Sequence, residues 1–167
     1  MTREPLLIVD GYNVLHAWPV MRQGNDLEAA RQRLADRVAE YEATRGMRAL
    51  LVFDGRTRTG PAGPTAAYAV ETVFSSKGLS ADHLIERRIV EVREATDEYL
   101  PITVVTSDRL IHALAMRERA AVTGAREFIR ELESLREETA RYGSSIPFRV
   151  TFTEAARPAR SSKPRKR

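Results

Sequence analysis

The chain gathers its apolar residues into short, almost unbroken runs, and these runs constrain the fold more than any other feature. Residues 6–9 read LLIV, residues 49–53 read ALLVF and residues 102–105 read ITVV. Such runs are typical of strands buried on both faces of a parallel sheet, because a strand with one face in water alternates apolar and polar residues. Between them, apolar residues recur at the three- and four-residue spacing of helices.

Strands that alternate with helices predict a sheet covered on both faces. We therefore expect an α/β fold, a three-layer α/β/α sandwich whose central sheet is mainly parallel, with a flavodoxin-like or related strand order. We also expect strands at residues 69–74 and 120–122, a final helix capped by Thr123, and an edge strand or extended arm at residues 148–152. The Gly- and Pro-rich residues 54–65 are expected to form a mobile loop.

The composition narrows the class of protein. With 167 residues, 43% of them hydrophobic and 30% charged, the chain is expected to form one globular domain. It has no cysteine, which excludes disulfides, a thiol nucleophile and thiolate metal sites. We find no signal-peptide pattern and no apolar stretch of membrane-spanning length, so we expect a cytoplasmic protein without a membrane partner. Nothing in the sequence determines the oligomeric state.

The net charge of +4 comes from the end of the chain. Residues 155–167 hold six of the 27 basic residues and none of the 23 acidic ones, so the remainder is slightly acidic. We assign residues 1–154 to the folded domain and residues 155–167 to a basic tail that is expected to be disordered. Such tails contact nucleic acids or only improve solubility, and both interpretations stay open at this point.

Aspartates follow the three apolar runs. Asp10 and Asp54 come directly after the first two, Asp108 follows the third after two hydroxyl residues, and Asp82 lies near the start of a predicted helix. Each alone is explained as a turn or helix-cap residue. Because the carboxyl ends of parallel strands meet at one edge, however, all four are expected to lie together. Crowded carboxylates favour a hard cation such as Mg²⁺ or Mn²⁺, which activates water and stabilises phosphoryl charge.

Other chemistries fit less well. The chain has neither a zinc HExxH pattern nor a Gly-rich nucleotide loop of the P-loop or Rossmann type. Phosphotransfer through an aspartate remains an alternative, since receiver domains and haloacid-dehalogenase-like phosphatases also gather aspartates at strand ends. Against it, Tyr12 stands where the phosphatases have a second aspartate, and the three lysines do not follow a late strand as a receiver requires.

Five motifs occur in an order and spacing that resemble one family. They are IVDGYN, LVFDG, VFSSKGLSADHLIE, VVTSD and TGAREFIRELE, and they extend over residues 6–133. The pattern resembles the NYN-domain ribonucleases of the YacP-like group, within the wider class of PIN-like nucleases. Thr123 stands where the family pattern has a serine, and no resemblance is visible after about Tyr142.

The resemblance implies a PIN-like fold and a divalent-metal-dependent endoribonuclease that cleaves mRNA in association with the ribosome. It assigns catalysis and metal binding to Asp10, Asp82 and Asp108, with Asp54 as a further metal-binding acid. Residues that support the acids or a phosphate are then Asn13, Thr106 and Ser107.

Basic residues beside the acidic edge are expected to hold the RNA backbone, and these are Arg56, Arg58 and Lys77. A solvated loop surface explains them equally well. The alternative to an enzyme is a non-catalytic module that binds RNA or the ribosome with the same fold.

Overall fold

A computed structural model of the chain describes residues 4–24, 26–57, 62–95 and 99–142. These residues form six strands: β1 Leu6–Asp10, β2 Arg48–Phe53, β3 Gly63–Thr65, β4 Glu71–Phe74, β5 Ile102–Val105 and β6 Ala121–Thr123. They also form five α-helices: α1 Gly11–Ala17, α2 Leu27–Arg45, α3 Ala81–Glu94, α4 Arg109–Arg117 and α5 Ala125–Tyr142. Short 3₁₀ helices lie at Pro19–Arg22 and Gly55–Thr57. Arg58, the expected strand at residues 148–152 and the basic tail fall outside the described residues.

The sheet has the order β3-β4-β2-β1-β5-β6, and its neighbours are parallel except for the β3–β4 pair. This confirms the predicted α/β/α sandwich with a mainly parallel sheet. The order is not the flavodoxin-like one, because the chain adds both β2 and β4 on one side of β1 before it crosses to β5 and β6 on the other. The order in which strands are added therefore reverses at β1. The carboxyl end of β1 is then a topological switch point, where ligands typically bind.

Alternating side chains of the sheet build two cores. On one face Leu7, Val9 and Phe53 pack with α1, α2 and α5. On the other, Ile8 and Val52 pack with α3 and α4. Every residue of β1 is buried, as its unbroken apolar run predicts. No helix among the described residues is long and apolar enough to cross a membrane.

Three local expectations were wrong. The predicted loop at residues 54–65 contains β3, which pairs antiparallel with β4, and the strand expected to begin at residue 69 begins at Glu71. Thr123 does not cap the last helix, because it belongs to β6 and pairs with Val105. The hydroxyl of Ser107, distant in sequence, instead accepts the amide hydrogen of Ala125 at the start of α5 (3.0 Å).

The Asp10–Gly11 pair is a direct junction between a strand and a helix. β1 ends at Asp10, and α1 begins at the next residue with Asp10 as its N-cap. A Cβ on Gly11 would lie 2.2 Å from Cε1 of Phe53, whose ring is fully buried. Glycine is therefore required here by the close approach of the Phe53 ring, and not by a turn.

The tyrosine of the DGYN motif is held by a buried cation. Arg31 of α2 is only 4% exposed, and its Nε donates a hydrogen bond to the hydroxyl of Tyr12 (3.0 Å). Its Nη1 pairs with Glu28 (2.9 Å), which also accepts the hydroxyl hydrogen of Tyr68 (2.6 Å). The guanidinium carbon lies 5.5 Å from the ring centre of Tyr12, close enough for a cation–π contact. The buried charge of Arg31 is thus compensated by Glu28 and by the hydroxyl and ring of Tyr12.

We predict that Gly11→Ala destabilises the protein by about 2 kcal/mol, the usual range for inserting a methyl group into a packed core being roughly 1–3 kcal/mol. Alanine favours a helix by about 1 kcal/mol over glycine, but it cannot offset a contact with the fully buried Phe53. The measurement is the free energy of unfolding from urea denaturation.

The matched control is Gly124→Ala. A Cβ at Gly124 would meet only Oγ of Ser107, at 3.9 Å, and we expect a change within about 0.5 kcal/mol. Equal stability losses in the two variants would contradict the role assigned to Gly11.

Candidate functional site

The carboxyl edge of the sheet carries an open cleft of about 660 Å³. Four aspartates line it, each from a different element of the fold: Asp10, Asp54, Asp82 and Asp108. They come from the ends of β1 and β2, the first turn of α3 and the N-cap of α4. The structure thus brings the predicted acids to one cleft beside the switch point of the sheet.

Asp10 is the most buried of these acids, with 8% of its surface exposed. Its Oδ1 accepts the amide hydrogen of Asn13 (3.3 Å), and its Oδ2 accepts the hydroxyl hydrogen of Thr106 (3.3 Å). The pKa of Asp10 is raised from 3.8 to about 6, chiefly by burial, while the hydrogen bonds from Asn13 and Thr106 lower it and the charges of Asp82 and Asp108 raise it. Asp10 therefore faces two other acids in a partly desolvated position.

A set of hydrogen bonds joins the ends of β1 and β5. The side-chain oxygen of Asn13 accepts the amide hydrogen of Ser107 (2.8 Å). The hydroxyl of Thr106, which donates to Asp10, accepts the amide hydrogen of Asp108 (3.1 Å). These bonds set Asp10 and Asp108 at fixed positions relative to each other.

Asp108 and Asp82 keep oxygen atoms free for a ligand. Oδ1 of Asp108 caps α4 by accepting the amide hydrogens of Leu110 (2.7 Å) and Ile111 (3.3 Å). Its Oδ2 has no hydrogen-bond partner within the described ranges. Asp82 is half-buried and, in the same part of the chain, has neither a hydrogen bond nor an ion pair.

Asp54 is engaged differently, by its own neighbour. Its Oδ1 accepts the amide hydrogen of Arg56 (2.9 Å), and its Oδ2 pairs with the guanidinium of the same arginine (2.8 Å). The arginine side chain is 76% exposed and that of Asp54 is 15% exposed, so only the arginine is open to solvent. A phosphate would compete with Asp54 for Arg56, and a cation would compete with Arg56 for Asp54.

The donor set fits a hard divalent cation. Carboxylate oxygens are the ligands that Mg²⁺ and Mn²⁺ prefer, and the half-buried Asp82 offers an unpartnered one. In the described residues, however, no three acidic or histidine side chains are already grouped closely enough to hold an ion. Holding one would therefore require some of these carboxylates to move closer together.

The basic residues predicted to bind RNA are not gathered at the cleft. Arg56 lines it but is paired with Asp54, Lys77 is exposed and is not among the lining residues, and Arg58 falls outside the described residues. Sequence reasoning missed two basic residues that line the cleft, His16 and Arg22. They lie on a wall of the cleft formed by α1 and the 3₁₀ helix Pro19–Arg22. No motif marks them, because this wall forms only when the two helices fold beside each other.

Comparison with known proteins gives a consistent result. The chain matches the family model of the YacP-like NYN domain over residues 7–160, beyond residue 133 where the recognisable motifs end. It is 32% identical over 132 residues to the protein YacP of Bacillus subtilis (strain 168), and this match covers 78% of the chain and 76% of YacP.

Solved structures show the same fold. The crystal structure of Rae1 (YacP) from Bacillus subtilis matches with a TM-score of 0.70 and 30% identity, covering 83% of this chain and 79% of that one. A single-substitution variant of Rae1 matches with a TM-score of 0.69 and 30% identity, covering 85% and 86% of the two chains.

The raised pKa of Asp10 predicts a pH-dependent stability. The folded protein holds this proton up to about pH 6, whereas the unfolded chain loses it near pH 3.8, so the contribution of Asp10 to stability falls as the pH rises between these values. The difference between these two pKa values corresponds to about 3 kcal/mol. Asp10→Asn keeps the shape and removes the charge.

We expect Asp10→Asn to be as stable as the unchanged protein near pH 4. Above about pH 6.5 we expect it to be more stable, with a melting temperature higher by about 5–10 °C for a chain of this size. Thermal unfolding in EDTA across this pH range measures the difference. A difference that does not vary with pH would contradict the assignment.

Proposed function

The chain belongs to the YacP-like NYN domain family, a membership that implies a nuclease-type function related to RNA, and we propose that it is a divalent-metal-dependent endoribonuclease. The observation that carries the proposal is the convergence of Asp10, Asp54, Asp82 and Asp108 on one cleft. The electrostatic effect of Asp82 and Asp108 on Asp10 supports it, because such repulsion is relieved by a shared cation.

The chain supplies the ligands and their orientation. Asp10, Asp82 and Asp108 would hold one or two Mg²⁺ or Mn²⁺ ions, with Asp54 at the rim. When bound, such ions activate water for attack on a phosphodiester and neutralise the charge of the phosphate. Thr106 and Asn13 would keep Asp10 and the start of α4 in place, so that these side chains position the acids.

We further propose that the substrate is mRNA presented by the ribosome in the cytoplasm. The first support is the family resemblance. The second is charge, because outside the basic tail the chain is slightly acidic and should attract free RNA weakly. A partner that presents the strand would compensate for this weak attraction.

The pairing of Asp54 with Arg56, and the lack of a ready-made ion cluster in the described residues, favour one alternative. It is a non-catalytic module that binds RNA or the ribosome through the same fold. Binding of RNA without metal-stimulated cleavage would establish this alternative.

We predict that Asp82→Asn lowers RNA cleavage by about a hundredfold or more, because changes to the outer-shell partners of a metal already cost roughly 10- to 100-fold. The substitution removes one charge and one strong ligand at nearly constant shape. The assay follows cleavage of labelled RNA with Mg²⁺ or Mn²⁺, and with excess EDTA.

The matched control is Asp36→Asn, because Asp36 is an exposed aspartate of α2. This variant should cleave RNA at the same rate as the unchanged protein. Asp82→Asn should also bind Mn²⁺ more weakly than the unchanged protein does. This binding is measured as the rise in melting temperature when the ion is added. Full cleavage by Asp82→Asn, or in EDTA, would exclude the metal mechanism.

A second prediction concerns the tail and the ribosome. If the six basic residues after Ala155 contact phosphates, the slope of log K against log [salt] for single-stranded RNA is about −4, at roughly 0.7 per contact. Truncation after Glu154 should bring the slope towards zero and weaken binding. We expect the full chain to cut ribosome-bound mRNA well and the same free mRNA poorly.

The comparison uses one mRNA at matched salt, free and ribosome-bound, with the full and truncated chains. Efficient cutting of free mRNA by the truncated chain would argue against both the tail and the ribosome.

A further inference from the structure

An acidic cleft that accepts RNA needs positively charged side chains to bind the phosphate groups. Three basic side chains line the cleft in the described part of the chain: His16, Arg22 and Arg56. Arg56 is already paired with Asp54 (2.8 Å) and partly neutralises that acid. The other two belong to the wall formed by α1 and the following 3₁₀ helix.

Arg22 has a free side chain. It is the last residue of the 3₁₀ helix Pro19–Arg22 and is exposed. Across the ranges that the structure describes, it makes no hydrogen bond and no ion pair. Its guanidinium can therefore bind a ligand without first breaking another contact.

The backbone that carries Arg22 is, by contrast, held on both sides. Arg33 of α2 donates hydrogen bonds to the carbonyl oxygen of Met21 from Nε (3.1 Å) and Nη2 (2.6 Å). Its Nη2 also donates to the carbonyl oxygen of Gln23 (3.2 Å). Arg22 thus lies between two carbonyls that one guanidinium holds against α2.

The start of the same segment is anchored in the core. Trp18, which precedes the 3₁₀ helix, is 6% exposed and packs with the cluster of α1 and α2. Its carbonyl oxygen accepts the amide hydrogen of Met21 (3.0 Å). A free cationic side chain on a fixed backbone suits a substrate-binding residue, because the backbone is already ordered and only the side chain loses conformational freedom when the ligand binds.

We propose that Arg22 binds a backbone phosphate of single-stranded RNA next to the phosphodiester to be cleaved, with His16 beside it on the same wall. The inference rests on the proposed function and refines it, since it moves RNA binding in the cleft from Arg56 and Lys77 to Arg22. The planar guanidinium matches two phosphate oxygens at once, which a lysine ammonium does not.

The test compares Arg22→Ala and Arg22→Lys with Arg87→Ala. Arg87 serves as the control because it is similarly exposed, pairs with Glu91 and lies on α3 away from the cleft lining. Binding of a short fluorescent oligouridylate is measured by anisotropy in EDTA between about 50 and 200 mM salt, and cleavage is measured separately with Mn²⁺.

We expect Arg22→Ala to weaken oligouridylate binding by about tenfold and to reduce the salt slope by about 0.7, the value for one phosphate contact. Arg22→Lys should retain the slope and recover part of the affinity, and Arg87→Ala should change affinity by less than about twofold. In cleavage, KM should rise while kcat changes little. Unchanged melting temperatures are expected for both Arg22 variants, because Arg22 makes no hydrogen bond or ion pair among the described residues. The same is expected for Arg87→Ala, because its pair with Glu91 is exposed and contributes little stability.

The outcomes separate the inference from the proposed function. Equal affinity losses in Arg22→Ala and Arg87→Ala, or no loss in the former, would overturn the role of Arg22 even if the unchanged protein cleaves RNA. Loss of binding specific to Arg22→Ala, with no cleavage by the unchanged protein, would keep the RNA contact and reject the nuclease.

Discussion

The burial of one carboxylate governs the arrangement of this protein's cleft. Asp10 stands at the end of a fully buried central strand, where desolvation disfavours its charge. Hydrogen bonds from Asn13 and Thr106 offset part of this cost, and both residues also hold the segment that ends at Asp108. One acid thus determines how the carboxyl ends of two neighbouring strands are joined.

The packing beneath the cleft depends on the same junction. α1 begins directly after β1 because Gly11 lets the ring of Phe53 approach its backbone. The next residue, Tyr12, then reaches the buried Arg31, whose partners extend through Glu28 to Tyr68. Each residue of the DGYN motif therefore has its own physical role. The aspartate is the buried acid, the glycine permits the close approach, the tyrosine anchors a buried cation, and the asparagine links α1 to the end of β5.

The strands and the convergence of the acids were predictable, because an unbroken apolar run implies a two-sided strand and parallel strands share a carboxyl edge. The strand order was not predictable in detail, since local patterns do not say on which side of β1 a strand is added. β3 was missed because Gly63 and Pro64 indicate a loop and its pairing with β4 is tertiary. Contacts between distant residues, such as the hydroxyl of Ser107 at the start of α5, leave no local signal.

The hydrogen bonds of Arg33 make the shape of the cleft wall independent of the side chains that the wall carries. Among the described residues, Arg33 donates hydrogen bonds only to main-chain carbonyls, those of Met21 and Gln23. These contacts therefore do not depend on which side chains residues 21–23 carry. The side chain at position 22 can thus be replaced without changing the contacts that hold this wall against α2. Asp10 and Asp108 differ from this position, because their own side chains form hydrogen bonds at the end of β1 and the start of α4.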